Sequence, residues 1–273
     1  MVGSSIKAPK KLHKPAGQVL LKVDNVCSLS KNTFGTSLKN VTFELRQGEI
    51  LGIGGVAGNG QDELFAVLSG EQVSNKGSIS FKDTNINKLT PNQRRKIGLL
   101  SAPEERLGHA AAPNMSLIEN ILITSEQSQN LVSKGFIDWK KSKAFAEKVI
   151  NKFDVRTPGS QNTAGSLSGG NLQKFVIGRE ILQNPSVFIV NQPTWGVDAA
   201  AASSIRQALL TLSGNGAAIL VISQDLDELL EISDQFAALN EGALTKTKTT
   251  AKLSLEQIGL MMGGAKDLEA NNA

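Results

Sequence analysis

The residues at 167–171, here called the Ser-Gly-Gly turn, are of the types that bind an anion: Leu167, Ser168, Gly169, Gly170 and Asn171. Adjacent glycines leave backbone N–H groups uncovered, and Ser168 adds a hydroxyl donor. An amphipathic run starts at Leu172, which predicts a helix whose positive dipole end faces the turn. A loop that merely starts a helix has the same composition, so this stretch alone leaves both interpretations open.

A second glycine-rich stretch, here called the glycine loop (residues 55–60), lies between an apolar segment and a helical one. The segment from Glu49 to Ile53 is almost wholly apolar, as is typical of a strand covered on both faces. Gly55 and Gly60 have the spacing of a phosphate-binding P-loop, and Gly58 adds a third glycine. A glycine-rich turn that only closes a βα unit remains the alternative.

The two residues after the glycine loop differ from those of a P-loop. Gln61 and Asp62 occupy the positions of the lysine that holds phosphates and of the hydroxyl that holds magnesium. Like charges about 4 Å apart repel by roughly 4 kcal/mol at an effective dielectric constant near 20. We therefore expect an ionised Asp62 to oppose a nucleotide unless magnesium bridges the two.

The charge is concentrated at the N-terminus. The net charge is +4, but residues 1–22 hold five lysines and no acidic residue, so the remainder of the chain is slightly acidic. We predict a basic, flexible arm over residues 1–18 and no nucleic-acid partner. The one cysteine, Cys27, excludes a disulfide framework, and no apolar stretch is long enough to cross a bilayer.

Alternating strand and helix patterns predict an α/β fold with a mainly parallel sheet, whose sites lie at the carboxyl ends of the strands. From 116 to about 153 the periodicity is helical, which predicts a helical lobe inserted in this core. A terminal helix is expected over 253–262. The predicted strands are Val19–Val23, Val41–Leu45, Glu49–Ile53, Gly77–Phe81, Ile97–Ser101, Ser186–Val190, Ala217–Ile222 and a strand near 236–239.

The glycine loop, the Ser-Gly-Gly turn, the run 192–198 (Gln-Pro-Thr-Trp-Gly-Val-Asp) and Ser223-Gln224-Asp225 follow the order of motifs in ABC-type ATPases. Over about residues 19–262 the chain therefore resembles an ABC transporter nucleotide-binding domain. The run 103–108 (Pro-Glu-Glu-Arg-Leu-Gly) resembles the importers for monosaccharides and nucleosides, in which two such halves are fused. The glycine loop and its Gln61 are similar to the degenerate P-loop of second halves.

The resemblance implies a P-loop NTPase core with N-terminal antiparallel strands and a helical lobe at about 109–180. Residues 1–18 would be the end of an inter-half linker, and 263–273 a tail. It also implies that five positions have lost their chemistry. These are the phosphate lysine at Gln61, the magnesium hydroxyl at Asp62, the metal-site aspartate at Asn191, the general-base glutamate at Gln192 and the switch histidine at Gln224.

The remaining roles also follow from the resemblance. The Ser-Gly-Gly turn would serve ATP held on the first half, and Asp198 would lie in the loop that crosses the interface between halves. Magnesium would be weak or absent at the chain's own site, with Asp62 as its one candidate ligand. The further partners would be membrane permease subunits and, indirectly, a solute-binding protein, at the cytoplasmic face of the membrane. The implied nucleotide-binding residues are Phe34, Gly55, Gly58, Asn59, Gly60, Gln61 and Asp62, and the permease-contacting ones are Pro103, Glu104 and Arg106.

Two other functions remain open at the level of sequence. The chain could be a structural or regulatory module that binds no nucleotide, or a soluble ABC factor that acts on nucleic acid. The near-neutral body of the chain and the importer-like run at 103–108 disfavour the second.

Overall fold

A computed structural model describes residues 15–31 and 33–264. The predicted arm at 1–18 and tail at 263–273 therefore lie mostly outside the described residues. No helix within these described ranges is long and apolar enough to cross a membrane.

The first layer is an antiparallel sheet, which confirms the predicted N-terminal strands. Its strand order is β2-β1-β4-β5. Strand β1 is longer than the predicted 19–23 segment, because it continues past Val23 with an irregularity in register before Val26. The strands are β1 (Val19–Ser28), β2 (Leu38–Arg46), β4 (Lys76–Phe81) and β5 (Thr84–Asn85).

The second layer is the predicted mainly parallel sheet, in the order β12-β11-β3-β10-β9-β6, with β13 paired to β11. Its central strands are buried along their whole length, which explains their continuous apolar sequences. Strand β6 starts at Leu99, two residues later than predicted, because Gly98 has a positive φ of 91°. The strands are β3 (Ile50–Gly54), β6 (Leu99–Ala102), β9 (Val187–Asn191), β10 (Ala218–Ser223), β11 (Gln235–Asn240), β12 (Ala243–Leu244) and β13 (Lys248–Thr249).

The helices follow the strands of the parallel sheet. Two hydrophobic clusters cover its faces, one beneath the antiparallel sheet and one beneath helices α3 to α8. The last helix starts at 255 rather than 253, since Ser254 caps its N-terminus. The helices are α1 (Gln61–Ser69), α2 (Pro91–Lys96), α3 (Leu117–Ser125), α4 (Trp139–Lys152), α5 (Gly169–Ile181), α6 (Ala199–Gly214), α7 (Leu226–Ile232) and α8 (Leu255–Met262).

The segment between β6 and β9 is largely helical, as expected, but the prediction of a helical run from 116 to 153 is wrong in its middle. A short hairpin, β7 (Val132–Ser133) and β8 (Phe136–Ile137), separates α3 from α4. Gly135 has a positive φ of 82° and Lys134 one of 51°, so the tip forms a tight turn that a helix cannot contain.

Candidate functional site

The carboxyl ends of four neighbouring parallel strands bring the predicted site residues to one edge of the sheet. Strand β3 leads into the glycine loop, β6 into the 103–109 segment, β9 into Gln192 and β10 into Gln224. The spatial order β3-β10-β9-β6 places these loops side by side, although they are far apart in sequence.

The side chain of Gln61 is folded into the glycine loop and is only 6% exposed. Its Oε1 accepts a hydrogen bond from the Asn59 N–H at 3.0 Å, and its Nε2 donates to the Val56 carbonyl at 2.9 Å. One N–H group that a phosphate cradle would offer to a ligand is therefore already satisfied within the loop. The amide supplies shape to the loop but no positive charge.

Contacts outside the glycine loop fix it further. The Asn59 Oδ1 accepts the Glu241 N–H at 2.7 Å, and the Thr36 hydroxyl donates to the Gly58 carbonyl at 2.6 Å. Sequence reasoning missed Glu63, whose carboxylate accepts the Thr36 N–H at 3.0 Å and so attaches the 30–36 segment to α1. The sequence signal for Glu63 was its position directly after Asp62, because acidic residues in the first turn of a helix interact favourably with the helix dipole.

Acidic groups converge beside the glycine loop. Asn191 Nδ2 donates to Asp62 Oδ1 at 3.2 Å, and Asn191 is 2% exposed. Its Oδ1 is buried and has no hydrogen-bond partner within the described part of the chain. Burial raises the pKa of the Glu104 carboxyl, and the Asp62 carboxylate raises it further, against the effect of Arg106.

These residues line a cleft of about 1060 Å³ between α1, the 103–109 segment and the Ser-Gly-Gly turn. Its charged lining comprises five carboxylates (Asp62, Glu63, Glu71, Glu104, Glu105) against Lys31, Arg106 and His109. Gln61 and Asp62 supply neither the cation nor the hydroxyl that follows the glycines of a P-loop, so these two residues do not fit ATP with its magnesium in that manner. Across residues 15–31 and 33–264, no group of three or more His, Cys, Asp or Glu side chains could hold a metal ion.

Gln192 and Gln224 lie at the positions to which the resemblance assigns the general base and the switch histidine. Gln192 has a positive φ of 51° and is 3% exposed. Its Oε1 accepts a hydrogen bond from the Gln224 N–H at 3.3 Å and lies 3.4 Å from Ser223 Oγ. A neutral amide held in this way cannot remove a proton from water.

A buried carboxyl that sequence reasoning missed lies behind these glutamines. Ser223 Oγ donates to Glu228 Oε2 at 2.9 Å, and Glu228 is 1% exposed. Burial raises the pKa of Glu228, and hydrogen bonds from Thr194 and Ser223 act in the opposite direction. The group contacts the 192–198 loop through Thr194 and therefore supports that loop from within.

The Ser-Gly-Gly turn forms the N-terminus of α5, as predicted. Ser168 is the N-cap residue, and its side chain makes no capping hydrogen bond to the helix. Instead Ser168 Oγ accepts from Asn171 Nδ2 at 2.9 Å, while Asn171 Oδ1 accepts the Arg156 N–H at 2.9 Å. The serine hydroxyl thus keeps its proton for a ligand, beside N–H groups of the first helical turn that no side chain caps.

The guanidinium of Arg106 lies against this turn. Its Nε donates to Gln173 Oε1 at 3.0 Å, and its Nη2 donates to the Trp195 carbonyl. Gln173 Nε2 in turn donates to the Pro193 carbonyl at 2.8 Å. The sequence analysis assigned no role to Gln173, although its amide lies only three residues after Gly170. In the structure this side chain connects α5 to the 192–198 loop.

The remaining predicted site residues lie in three different surroundings. Phe34 is 98% exposed, so its ring contacts almost nothing in this chain. Asp198 caps α6, because its Oδ1 accepts the Ala201 N–H at 2.8 Å, and its Oδ2 lies beside Gly170. Pro103 and Glu104 are half-buried in the cleft lining.

Comparison with sequence families gives one match that spans more than half of the chain. The model of the family described as ABC transporter matches residues 38–195. That range includes the glycine loop, the Ser-Gly-Gly turn and strand β9.

Two curated proteins illustrate the relatives. The glucose import ATP-binding protein TsgD13 of Haloferax volcanii is 34% identical over 256 residues, which are 93% of this chain and 46% of that protein. The guanosine import ATP-binding protein NupO of Bacillus subtilis is 33% identical over 276 residues, 100% of this chain and 54% of that protein. The chain thus spans about half the length of the curated relatives it matches.

A solved structure described as a nucleotide-free ATP-binding cassette from an ABC transporter superposes with a TM-score of 0.69 at 21% identity. The superposition covers 90% of this chain and 96% of that chain. At this identity the likeness establishes the fold, and the predicted α/β P-loop NTPase core is confirmed.

Proposed function

Because the chain belongs to the ABC transporter family, we propose that it is an ATP-binding half of an importer for simple sugars or nucleosides. The relatives described above are named for glucose and guanosine import. A ribose import ATP-binding protein of Clostridium tetani, 33% identical over 262 residues, is a further relative of this kind. The transported solute itself is recognised by the permease and the solute-binding protein, so this half is compatible with either class.

We propose further that this is the second of two fused halves. The share of the relatives that it matches, about half, supports a single half, and the Gln61 and Asp62 that follow the glycine loop are the reason for proposing the second. The halves would pair head to tail, with the domain covering about residues 19–262 and the helical lobe at about 109–180. Contact with permease subunits, through that lobe and through Pro103 and Glu104, would hold the half at the cytoplasmic face of the membrane.

The observation that carries the proposal is the contrast between the two phosphate-binding elements of the chain. The Ser-Gly-Gly turn offers the hydroxyl proton of Ser168 and a helix N-terminus that no side chain caps. The glycine loop offers an amide folded into its own backbone and an acidic neighbour. The chain would therefore donate Ser168, Gly169 and Gly170 to ATP that the first half holds, together with magnesium.

The chain's own site would not hydrolyse ATP. Loss of the general base and of charge stabilisation each reduce the rate by orders of magnitude, and Gln61, Asn191, Gln192 and Gln224 are all uncharged at pH 7. Nucleotide binding there would be weak, because Asp62 and Glu104 oppose the phosphate charge. Asp62 is the one residue through which magnesium could offset that repulsion.

A second candidate is a structural module that takes no nucleotide on either face. The observation that favours it is the satisfied state of the glycine loop, in which both atoms of the Gln61 amide have partners. In this case the chain would contribute to the assembly of the importer and would contact no nucleotide.

Hydrolysis measurements separate these functions. The chain alone is expected to be inactive, and turnover that disappears in Gln192→Ala would contradict the proposal. Mixed with the intact first half of the same importer, the chain is expected to raise hydrolysis, and Ser168→Arg to abolish that gain. Ser133→Arg is the matched control, because Ser133 is an exposed serine on the β7–β8 hairpin. If Ser168→Arg leaves the activity of the mixture unchanged, the structural module is the correct function.

A further inference from the structure

The guanidinium of Arg106 is held between the Ser-Gly-Gly turn and the 192–198 loop by Gln173 and by the Trp195 carbonyl. The predicted contact of Arg106 with a permease does not explain this position beside the turn.

The two hydrogen bonds of Arg106 leave its positive charge without a directly bonded carboxylate, and the Glu104 carboxylate interacts with it only through space. Both acceptors are neutral oxygens, one from an amide side chain and one from the backbone. A guanidinium has five N–H donors, and the two hydrogen bonds use the Nε and Nη2 groups. Lys174, another cation near the turn, is already paired, since its Nζ lies 3.6 Å from Asp154 Oδ2.

Two glycines bring the backbone close to the guanidinium. A Cβ on Gly169 would lie 2.8 Å from Arg106 Nη1, and one on Gly196 would lie 3.3 Å from Nη2. Any side chain at 169 would therefore displace the cation. The Nη1 group is thus held beside the first residue of α5, where the Ser168 hydroxyl and the helix N-terminus already favour an anion.

We propose that Arg106 is a third phosphate-binding group of the Ser-Gly-Gly turn. With Ser168 and the N-terminus of α5, it would contact a terminal phosphate oxygen of ATP held by the partner half; this inference rests on the proposed function. The guanidinium would supply the full positive charge that neither a serine nor a helix dipole provides, and Gln173 would orient it.

The competing explanation is that Arg106 only fastens the turn to the 192–198 loop. The two roles make different demands on the side chain. A fastening role needs the forked geometry that reaches two acceptors, whereas phosphate binding needs the charge. Arg106→Lys keeps the charge and loses the fork, while Arg106→Gln loses the charge and keeps a hydrogen-bonding end.

The experiment measures ATP hydrolysis by the assembled two-half protein as a function of ATP concentration. Arg106→Gln is expected to lower kcat/KM by about 10- to 100-fold, the value of one charge-assisted hydrogen bond, and Arg106→Lys by less than about 10-fold. The melting temperature of each variant, measured on the chain alone, reports folding separately. Because the missing group is charged, the Arg106→Gln enzyme is also expected to depend less on ionic strength than the wild type.

The outcomes are distinguishable. If Arg106→Gln hydrolyses ATP within about twofold of the wild type while Ser168→Arg abolishes hydrolysis, the inference is wrong and the proposed function stands. If Arg106→Lys loses as much activity as Arg106→Gln, fastening alone explains the residue and the inference is also wrong. If neither Arg106→Gln nor Ser168→Arg lowers hydrolysis, the proposed function itself is wrong, and the inference that rests on it is wrong as well.

Discussion

The carboxylate of Glu180 joins three helices at the base of the site, and Glu180→Gln tests whether it holds them together. The group is completely buried and accepts hydrogen bonds from Arg95 Nη1 at 2.6 Å, Arg179 Nε at 2.9 Å and Thr124 Oγ1 at 2.9 Å. These partners lie on α2, α5 and α3. Arg179 also donates to the carbonyls of Ala110 and Asn120, so the network fixes α5, and with it the Ser-Gly-Gly turn, relative to the core.

Replacing one oxygen of Glu180 with an NH₂ group removes the negative charge that pairs with the buried Arg179 guanidinium, whose Nε lies 2.9 Å from Glu180 Oε1. Removing one partner of a buried ion pair typically costs about 3–5 kcal/mol, because the other charge stays buried and unpaired. Glu147→Gln is the matched control. Its partner Lys143 lies 3.7 Å away on the exposed face of α4, where such a pair contributes about 0.3–0.5 kcal/mol.

The effect of Glu180→Gln should depend on pH. Burial by itself raises the pKa of Glu180, but the charges of Arg95 and Arg179 outweigh it, so the folded-state pKa lies below the ordinary value of 4.5. A carboxyl whose pKa is lowered on folding stabilises the protein fully above its unfolded-state pKa and progressively less below it. The difference between wild type and Glu180→Gln should therefore be complete above about pH 4.5 and shrink as the pH falls through the folded-state pKa.

The assay is urea unfolding of the wild type and the two variants, followed by circular dichroism at about pH 7 and again at about pH 4. We expect Glu180→Gln to lose about 3–5 kcal/mol at the higher pH and less at the lower one. A loss below about 0.5 kcal/mol, equal to that of Glu147→Gln, would show that the buried pair does not stabilise the fold. A loss that grows at low pH would show that the sign assigned to the pKa shift is wrong.

Three further predictions concern stability around the site. Arg94 is 1% exposed and donates to the carbonyls of residues 67, 68, 86 and 89, so Arg94→Met should cost about 3 kcal/mol or more in urea unfolding by leaving them without a donor. Asp198→Ala removes the N-cap of α6 and should cost about 1 kcal/mol, with Asp227→Ala in the first turn of α7 as a milder control. The hydrogen bond to Glu71 raises the pKa of His109 above 6.5, so the contact stabilises the fold fully below about pH 6.5 and is lost as the pH rises through the folded-state pKa. The free energy of unfolding of the wild type should therefore lose this contribution between about pH 6 and about pH 9, whereas that of His109→Gln should not.

Much of the fold could be read from local pattern. The apolar runs that became β3, β9 and β10 and the glycine loop before α1 were predicted from sequence, because each depends on residues close together in the chain. The β7–β8 hairpin was missed, because the helical periodicity up to Leu122 and from Trp139 onward was extended across the residues between them. Only the left-handed turn at 134 and 135 distinguishes a hairpin from a helix there, and that turn was not recognised.

The sequence by itself determined the chemistry that each position can supply. Gln61, Asn191, Gln192 and Gln224 carry no charge, and this holds whatever the fold. The tertiary structure alone decided where the side chains point. It placed Asp62 against Asn191 and the Arg106 guanidinium beside the Ser-Gly-Gly turn. The reason is physical: Asp62 and Asn191 are 129 residues apart, and Arg106 and Gln173 are 67 apart. Such pairs meet only when the parallel strands take their order in the sheet, and no local pattern encodes that order.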